Sequence, residues 1–351
     1  MIFLKILLWP FSLLYGGITA FRNICYDMGW FKSYDVPVAV ICVGNLKAGG
    51  TGKTPVTQYL LNMFAEKYKT AVLSRGYGRS TKGFIYADSD STANEIGDEP
   101  LQLYSHATGR YSVVVCEDRV EGVKQLLLRI PDLQLVILDD GYQHRRIKRD
   151  VNLLLTEYKD PFFADWVLPA GRLRECRNGA SRADAIIVTK TPVGSKPLAP
   201  DFFQKYTKSK TTISYSAIAY GIFRNQEEEL SVQQQEKIIL VTGIANAKPL
   251  LEYLYDKSID IEQHVSFKDH YTYTEADIHA IEELSKSNSG LKIITTEKDW
   301  VKIVPLLKKL KTSAIWGYLP IELNLYSEEQ KLLSVIDSKI IQRLQGLTHS
   351  A

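Results

Sequence analysis

The chain is poor in the features that staple or charge a small protein. Its four cysteines, Cys25, Cys42, Cys116 and Cys176, are scattered through 351 residues. Their spacing excludes a disulfide framework and a zinc site, and it fits a reducing compartment. Net charge is only +3, which excludes a nucleic-acid protein driven by charge alone. There is no internal repeat and no low-complexity tract. An apolar run that clearly meets the length of a membrane span is also lacking. Residues 1–21 are almost wholly apolar but are broken by Lys5, Pro10 and Ser12, and a span needs about 20 uninterrupted residues. Arg22 and Lys32 follow, with Trp9, Tyr15, Tyr26, Trp30 and Phe31 around them. Aromatic and basic residues beside a short apolar helix suit a segment lying in, or dipping into, one leaflet. A cleavable signal peptide is allowed by length but would carry the chain away from cytosolic nucleotide. A helix packed on the domain is the remaining alternative.

What is present is ample apolar material, 45% of residues, in a length that suits two domains or one large α/β unit. The most informative stretch is Val43-Gly-Asn-Leu-Lys-Ala-Gly-Gly-Thr-Gly-Lys-Thr-Pro55. An apolar β-branched run over 36–43 predicts a strand before it, and 56–64 predicts a helix after it. A strand, a glycine-rich turn, Gly-Lys-Thr and a helix together make a phosphate cradle. Lys47, Ala48, Gly49, Gly50, Thr51, Gly52, Lys53 and Thr54 are the expected nucleotide-binding residues. Lys53 reaches terminal phosphates, and the Thr54 hydroxyl suits Mg²⁺. The common pattern has glycine where Lys47 stands, so this loop is a variant.

Strand and helix patterns alternate through the first half. Strands are predicted at 70–74, 112–116, 133–138, 151–156 and 185–189, and helices from about 99 and over 120–130. This rhythm predicts an α/β, P-loop NTPase-like parallel sheet with helices on both faces. Polar residues crowd 191–235, after which Lys237-Ile-Ile-Leu-Val-Thr-Gly starts a second α/β unit. A helix over 249–255, a strand over 292–296 and a helix over 299–310 belong to it. The expected organisation is a membrane-associated helix (1–30), a kinase core (31–200), a linker or edge region (201–235) and a smaller C-terminal α/β subdomain (236–351).

Several clusters carry chemistry. The strand before Asp139-Asp140 ends in two acids, as a Walker B element requires, and adjacent carboxylates are costly unless a cation offsets them. A solvated acidic turn is the alternative. Gln143 and His144 follow a sharp turn beside the same metal and phosphates. Asp98 sits just ahead of a helix. It suits either a base for an attacking hydroxyl or an N-cap. Arg172 and Arg174 flank Glu175 and suit phosphate pairing or a surface ion-pair cluster. Arg75 and Tyr77 follow a strand end on the same edge.

Together these motifs resemble those of the tetraacyldisaccharide 4'-kinase family, the lipid A 4'-kinases of Gram-negative bacteria. The likeness rests on Gly44-Asn-Leu-Lys-Ala-Gly-Gly-Thr-Gly-Lys-Thr-Pro55, Ser74-Arg-Gly-Tyr-Gly-Arg79, Gly97-Asp-Glu-Pro100 and Asp139-Asp-Gly-Tyr-Gln-His144. It continues through Arg149-Asp150, Leu168-Pro-Ala-Gly-Arg-Leu-Arg-Glu175, Phe267-Lys-Asp-His270 and Thr296-Glu-Lys-Asp299. The family does not require glycine at the place of Lys47. The resemblance implies ATP- and Mg²⁺-dependent transfer of the γ-phosphoryl to the 4'-hydroxyl of lipid A disaccharide 1-phosphate, giving lipid IVA. It implies a peripheral or monotopic position on the cytoplasmic face of the inner membrane, with no nucleic acid and no obligate protein partner. Asp98 with His270 would activate the hydroxyl. Thr54, Asp139, Asp140, Gln143 and Glu175 would form the metal side, and Arg75, Tyr77, His144, Arg172 and Arg174 would meet substrate and phosphates. Residues after 310 carry no matching motif. The rival functions are a P-loop ATPase that switches conformation, and a soluble kinase for a small metabolite.

Overall fold

The structure is a computed structural model that describes residues 2–208, 211–226 and 228–349, with side chains from Lys5 onward in the first helix. Met1 of the apolar segment and Glu227 of the polar stretch lie outside the described residues.

The fold is mixed α/β around a large, parallel-rich sheet. Among the described residues this sheet has nine strands in the order Ile321–Ser327, Thr212–Tyr220, Ala185–Thr189, Val151–Glu157, Ala39–Asn45, Leu135–Asp139, Thr70–Ser74, Tyr111–Val115 and Ile85–Tyr86. Neighbours from Thr212–Tyr220 to Tyr111–Val115 pair in parallel, and the two edge strands run antiparallel. Strand residues alternate between two apolar layers, as a period of two demands. Ala39, Ile41 and Val43 face one layer with Val56, Leu60, Leu61 and Phe64 of helix Lys53–Phe64. Val40 and Cys42 face the other, with Val120, Val123 and Leu126 of helix Arg119–Arg129. Full burial of such a side chain contributes about 1.5–3 kcal/mol.

A second sheet lies between residues 224 and 319. Its order is Glu228–Glu229, Arg224–Asn225, Trp316–Leu319, Lys292–Thr296, Lys237–Thr242 and Asp260–Ser266, the last four parallel. Helices Lys248–Asp256, Glu275–Ser287 and Glu297–Leu310 cover it. The chain then returns. Strand Ile321–Ser327 pairs with Thr212–Tyr220, and helix Glu329–Thr348 buries Leu332, Ile336 and Ile340 against the large sheet. The described part of the span 236–351 is therefore shared between both sheets. The polar stretch 201–235 likewise contains a nine-residue strand of the large sheet.

The first helix, Ile2–Asp27, is inside out. Ile6, Leu7, Phe11, Leu13, Leu14, Ile18 and Phe21 are all exposed. Its buried side is small or polar. Ser12 Oγ accepts from Ala170 N–H at 2.9 Å, and Asn23 Nδ2 donates to Glu175 Oε2 at 2.7 Å. No helix among the described residues is long and apolar enough to cross a membrane.

Candidate active site

The parallel strands of the large sheet end together, and the glycine loop turns at the end of the central strand Ala39–Asn45. This is the edge where open α/β sheets bind ligands. Gly52 takes φ +81°, in the left-handed region that favours glycine, and so starts helix Lys53–Phe64 directly from the turn. The first-turn N–H groups of that helix have no intrahelical acceptor and carry the positive end of its dipole. The loop is pinned from behind. Asn45 Nδ2 donates to Thr51 Oγ1 at 2.7 Å, Thr189 Oγ1 donates to Thr51 O at 2.8 Å, and Lys190 Nζ donates to Gly50 O at 2.5 Å.

Lys53 is buried, with Nζ 3.8 Å from Asp140 Oδ1. Arg174 Nη1 holds both oxygens of Asp140 at 3.1 Å. Asp139 is fully buried. Its Oδ1 accepts from Thr57 Oγ1 at 3.0 Å, whereas Oδ2 has no partner among the described residues. Burial, then the nearby charges of Glu99 and Asp140, push its pKa up to about 7. A buried carboxylate oxygen without a donor is costly, and a hard cation on that oxygen removes the cost. The residues present therefore fit Mg²⁺. Among the described residues no cluster of three His, Cys, Asp or Glu could hold a metal. The fit thus calls for a site completed by a hydroxyl such as that of Thr54, by phosphate and by water.

The other expected residues are distributed around this centre. Gln143 Nε2 donates to Asn45 O at 2.8 Å and to Glu175 Oε1 at 3.0 Å. Glu175 is buried, and Arg182 Nη2 grips both its oxygens at 2.8 and 2.9 Å. With Asn23 added, its carboxylate is fully engaged behind Gln143. Lys47 does not present a free ammonium. It is buried and ion-paired with Asp160 and Asp165, which Arg172 shares. Ala48 N–H donates to Arg172 O at 2.8 Å, so that amide is already used. His144 Nε2 is buried without a partner among the described residues, and burial, then the charge of Arg119, pull its pKa down to about 4. Arg75 and Tyr77 are exposed.

Asp98 opens helix Asp98–Ser105, and the N-cap position is taken by Gly97. Gly97 has φ +93°, and a Cβ there would lie 3.0 Å from Tyr77 O, so two loops of the site touch through a missing side chain. Asp98 Oδ2 lies 3.1 Å from Nδ1 of His270, which comes from the small unit and itself has φ +59°. The Tyr77 ring packs edge-on to His270 at 5.6 Å. A second bridge joins the units. Buried Glu297 holds His106 Nε2 at 2.7 Å and Gln102 Nε2 at 2.9 Å.

Sequence reading gives no role to four residues of this neighbourhood, Glu99, Arg119, Glu297 and Lys302, although Glu99 and Glu297 stand inside two of the quoted motifs. Glu99 and Arg119 both bear on Asp139, and Arg119 is itself buried, donating to Cys116 O and Glu117 O at 3.0 and 3.1 Å. In sequence Glu117-Asp-Arg119 reads as a charged turn. Lys302 stands three residues after Asp299, one helical turn away, and that spacing was the available signal.

The profile of the family described as Tetraacyldisaccharide-1-P 4'-kinase matches residues 4–341. The Tetraacyldisaccharide 4'-kinase of Cytophaga hutchinsonii is 62% identical over 348 residues, covering 99% of each chain. That of Flavobacterium johnsoniae is 38% identical, covering 97% of this chain and 98% of its own. The crystal structure of LpxK from Aquifex aeolicus in complex with ATP superposes with a TM-score of 0.79 at 30% identity, covering 96% of this chain and 99% of that one.

Proposed function

The chain belongs to the tetraacyldisaccharide-1-P 4'-kinase family, and from that premise we propose which of its residues carry the reaction. The enzyme is an ATP-dependent kinase of lipid A biosynthesis that phosphorylates the 4'-hydroxyl of lipid A disaccharide 1-phosphate. Phosphoryl transfer asks little covalent chemistry of the protein, so positioning and neutralisation of charge dominate.

The glycine loop from Gly49 to Thr54 cradles the polyphosphate. Lys53 and Arg174, both within reach of Asp140, neutralise the phosphoryl group that moves. Asp139, Asp140 and the Thr54 hydroxyl would hold Mg²⁺, which would supply screening of charge on the phosphate oxygens. Gln143 borders the same space, oriented by Glu175 from behind. Asp98 accepts the proton of the attacking hydroxyl, and His270 orients and relays it. Arg75, Tyr77 and Arg172 line the exposed approach for the sugar and its phosphate. His144 works as a neutral imidazole at physiological pH, given a pKa of about 4. The outward apolar face of helix Ile2–Asp27 rests in the cytoplasmic leaflet of the inner membrane, so that a substrate with acyl chains is met where it lies.

The observation that carries this reading is the meeting, at the ends of the large sheet's strands, of Lys53 with the Asp139–Asp140 pair and its partnerless buried oxygen. The test uses full-length protein in mixed micelles with γ-labelled ATP, Mg²⁺ and lipid A disaccharide 1-phosphate. Label in the lipid is expected. ATP hydrolysis without label in the lipid would replace the kinase by a conformational switch.

A further inference from the structure

One buried cation beside the acceptor-side pair has no part in the reading above. Lys302 lies in helix Glu297–Leu310 of the small unit, and its side chain is 5% exposed. Its Nζ donates to Tyr271 O at 3.0 Å, lies 3.0 Å from Asp299 Oδ1, and reaches across to Asp98 Oδ2 at 3.4 Å. It also sits over the Tyr273 ring, 5.3 Å from its centroid. A buried ammonium is tolerated only when it is paired. One of the two carboxylates that pair it is rigid. Asp299 is fully buried and accepts from Gly243 N–H at 2.7 Å and Thr296 Oγ1 at 2.6 Å. A continuous polar chain thus runs from the small sheet through Asp299 and Lys302 to Asp98 on the large unit.

The two partners of Asp98 converge on one oxygen. His270 Nδ1 and Lys302 Nζ both address Oδ2, and Oδ1 accepts no hydrogen bond among the described residues. They differ in access. The His270 side chain is 33% exposed, whereas Lys302 is closed off. The other charged groups around this pair are Glu99, next in sequence, and Asp269 and Lys298, which lie 3.7 and 3.4 Å from His270 Nε2. Lys298 and Asp269 pair with each other at 2.8 Å, which leaves Lys302 as the cation facing Asp98.

We propose that Lys302 is a positioning residue that holds Asp98 by Oδ2, so that Oδ1 alone is presented to the acceptor hydroxyl. The proposal rests on the reading of Asp98 as the base. In the transfer step the sugar O–H bond breaks and its proton goes to Asp98 Oδ1. The new O–P bond forms as the bond from the γ-phosphorus to the bridging oxygen breaks, and ADP leaves with that electron pair. Lys302 keeps its protons throughout and touches neither reactant.

The test compares Lys302→Met, Lys302→Arg, Asp98→Asn and the Lys302→Met/Asp98→Asn double variant as full chains in mixed micelles with Mg²⁺. Lys302→Met should lower kcat by ~10²-fold, the scale of a misplaced reacting group, with KM for ATP unchanged. Lys302→Arg should restore most of the loss, since charge and reach return. In the Asp98→Asn background, Lys302→Met should cost little more, because the group it positions is already disabled. Lys302→Gln, which keeps a donor for the Tyr271 carbonyl, serves if the methionine variant does not fold, and the same loss of kcat is expected. Wild-type kcat in both Lys302→Met and Lys302→Gln, with Asp98→Asn inactive, overturns the positioning role and leaves the base assignment standing. Losses that multiply in the double variant also overturn it. Near-normal turnover in Asp98→Asn overturns the base assignment and the positioning role with it.

Discussion

The proposed nucleotide end of the site stands on one sheet, whereas the proposed acceptor end is divided between two. Lys53, Thr51 and Asp139 are buried where strands of the large sheet end, each fixed by neighbours from the same unit. Asp98 belongs to the large unit and His270 to the small one, and they meet at 3.1 Å across the join. Close to that contact, Glu297 with His106 and Gln102, and Lys302 with Asp98, also bridge the two units. A preformed cradle can grip polyphosphate whatever the small unit does. The Asp98–His270 contact is made only while the two units are docked, so on the proposed assignment binding and chemistry depend on different parts of the fold.

That contrast breaks hardest at Lys53. Lys53→Ala should cost ~10³-fold in kcat/KM, the scale for losing a preorganised charge at a transferring group, with the Asp98–His270 contact intact. Steady-state kinetics with both substrates varied checks it, and a loss below tenfold would place the neutralising charge elsewhere. Glu297→Ala probes the other side. It removes a buried acceptor from His106 and Gln102, worth about 1.5–3 kcal/mol, so kcat should fall by roughly tenfold or more while ATP affinity is kept. Equal losses at both ends would show that the cradle is not independent of docking.

A finer probe is pH. The Asp139 carboxyl titrates near 7 in the fold against 3.8 ordinarily. The folded state therefore binds that proton more tightly. Its stabilisation is full below about 3.8 and is lost as pH rises through about 7. Relative to Asp139→Asn, the nucleotide-free protein should lose melting temperature as pH rises from about 4 to about 7. Mg²⁺ with ATP should abolish the difference by favouring the carboxylate, and parallel melting curves without ligand would refute the burial argument. The smallest effect is expected at the first helix. Phe11→Ser with Ile18→Ser should weaken co-sedimentation with anionic vesicles by ~10-fold, from lost apolar contact. ATP affinity should not change.

The same division governs what the sequence discloses. Strands at 70–74, 135–139, 151–157 and 185–189 are buried on both faces, so they read as apolar runs and their places are evident in the sequence. Asp260–Ser266 is an edge strand with mostly polar or half-exposed residues and has no such signature. Strand Thr212–Tyr220 is hidden in a polar stretch because one edge of it meets only the returning C-terminal strand. In the site, the glycine loop and the double acid announce themselves because their chemistry is local. Asp98 and His270 are 172 positions apart, so spacing alone left Asp98 between cap and base, and resemblance alone paired it with His270. Nor does spacing reveal that Lys47 is spent on Asp160 and Asp165, or that Glu175 stands behind Gln143. Both facts depend on segments that only the fold brings together.

The returning C-terminus has a consequence for biosynthesis. Leu332, Ile336 and Ile340 fill the same apolar layer as Ile41 and Val43 of the loop-bearing strand, and Arg343 reaches Val36 O at 2.6 Å. Those side chains leave the ribosome after the whole small unit has been made. The proposed nucleotide cradle is thus made well before the helix that seals the layer beneath it. A nascent chain stalled before residue 321 would hold an intact glycine loop over an uncovered core, a ready client for chaperones rather than a working kinase.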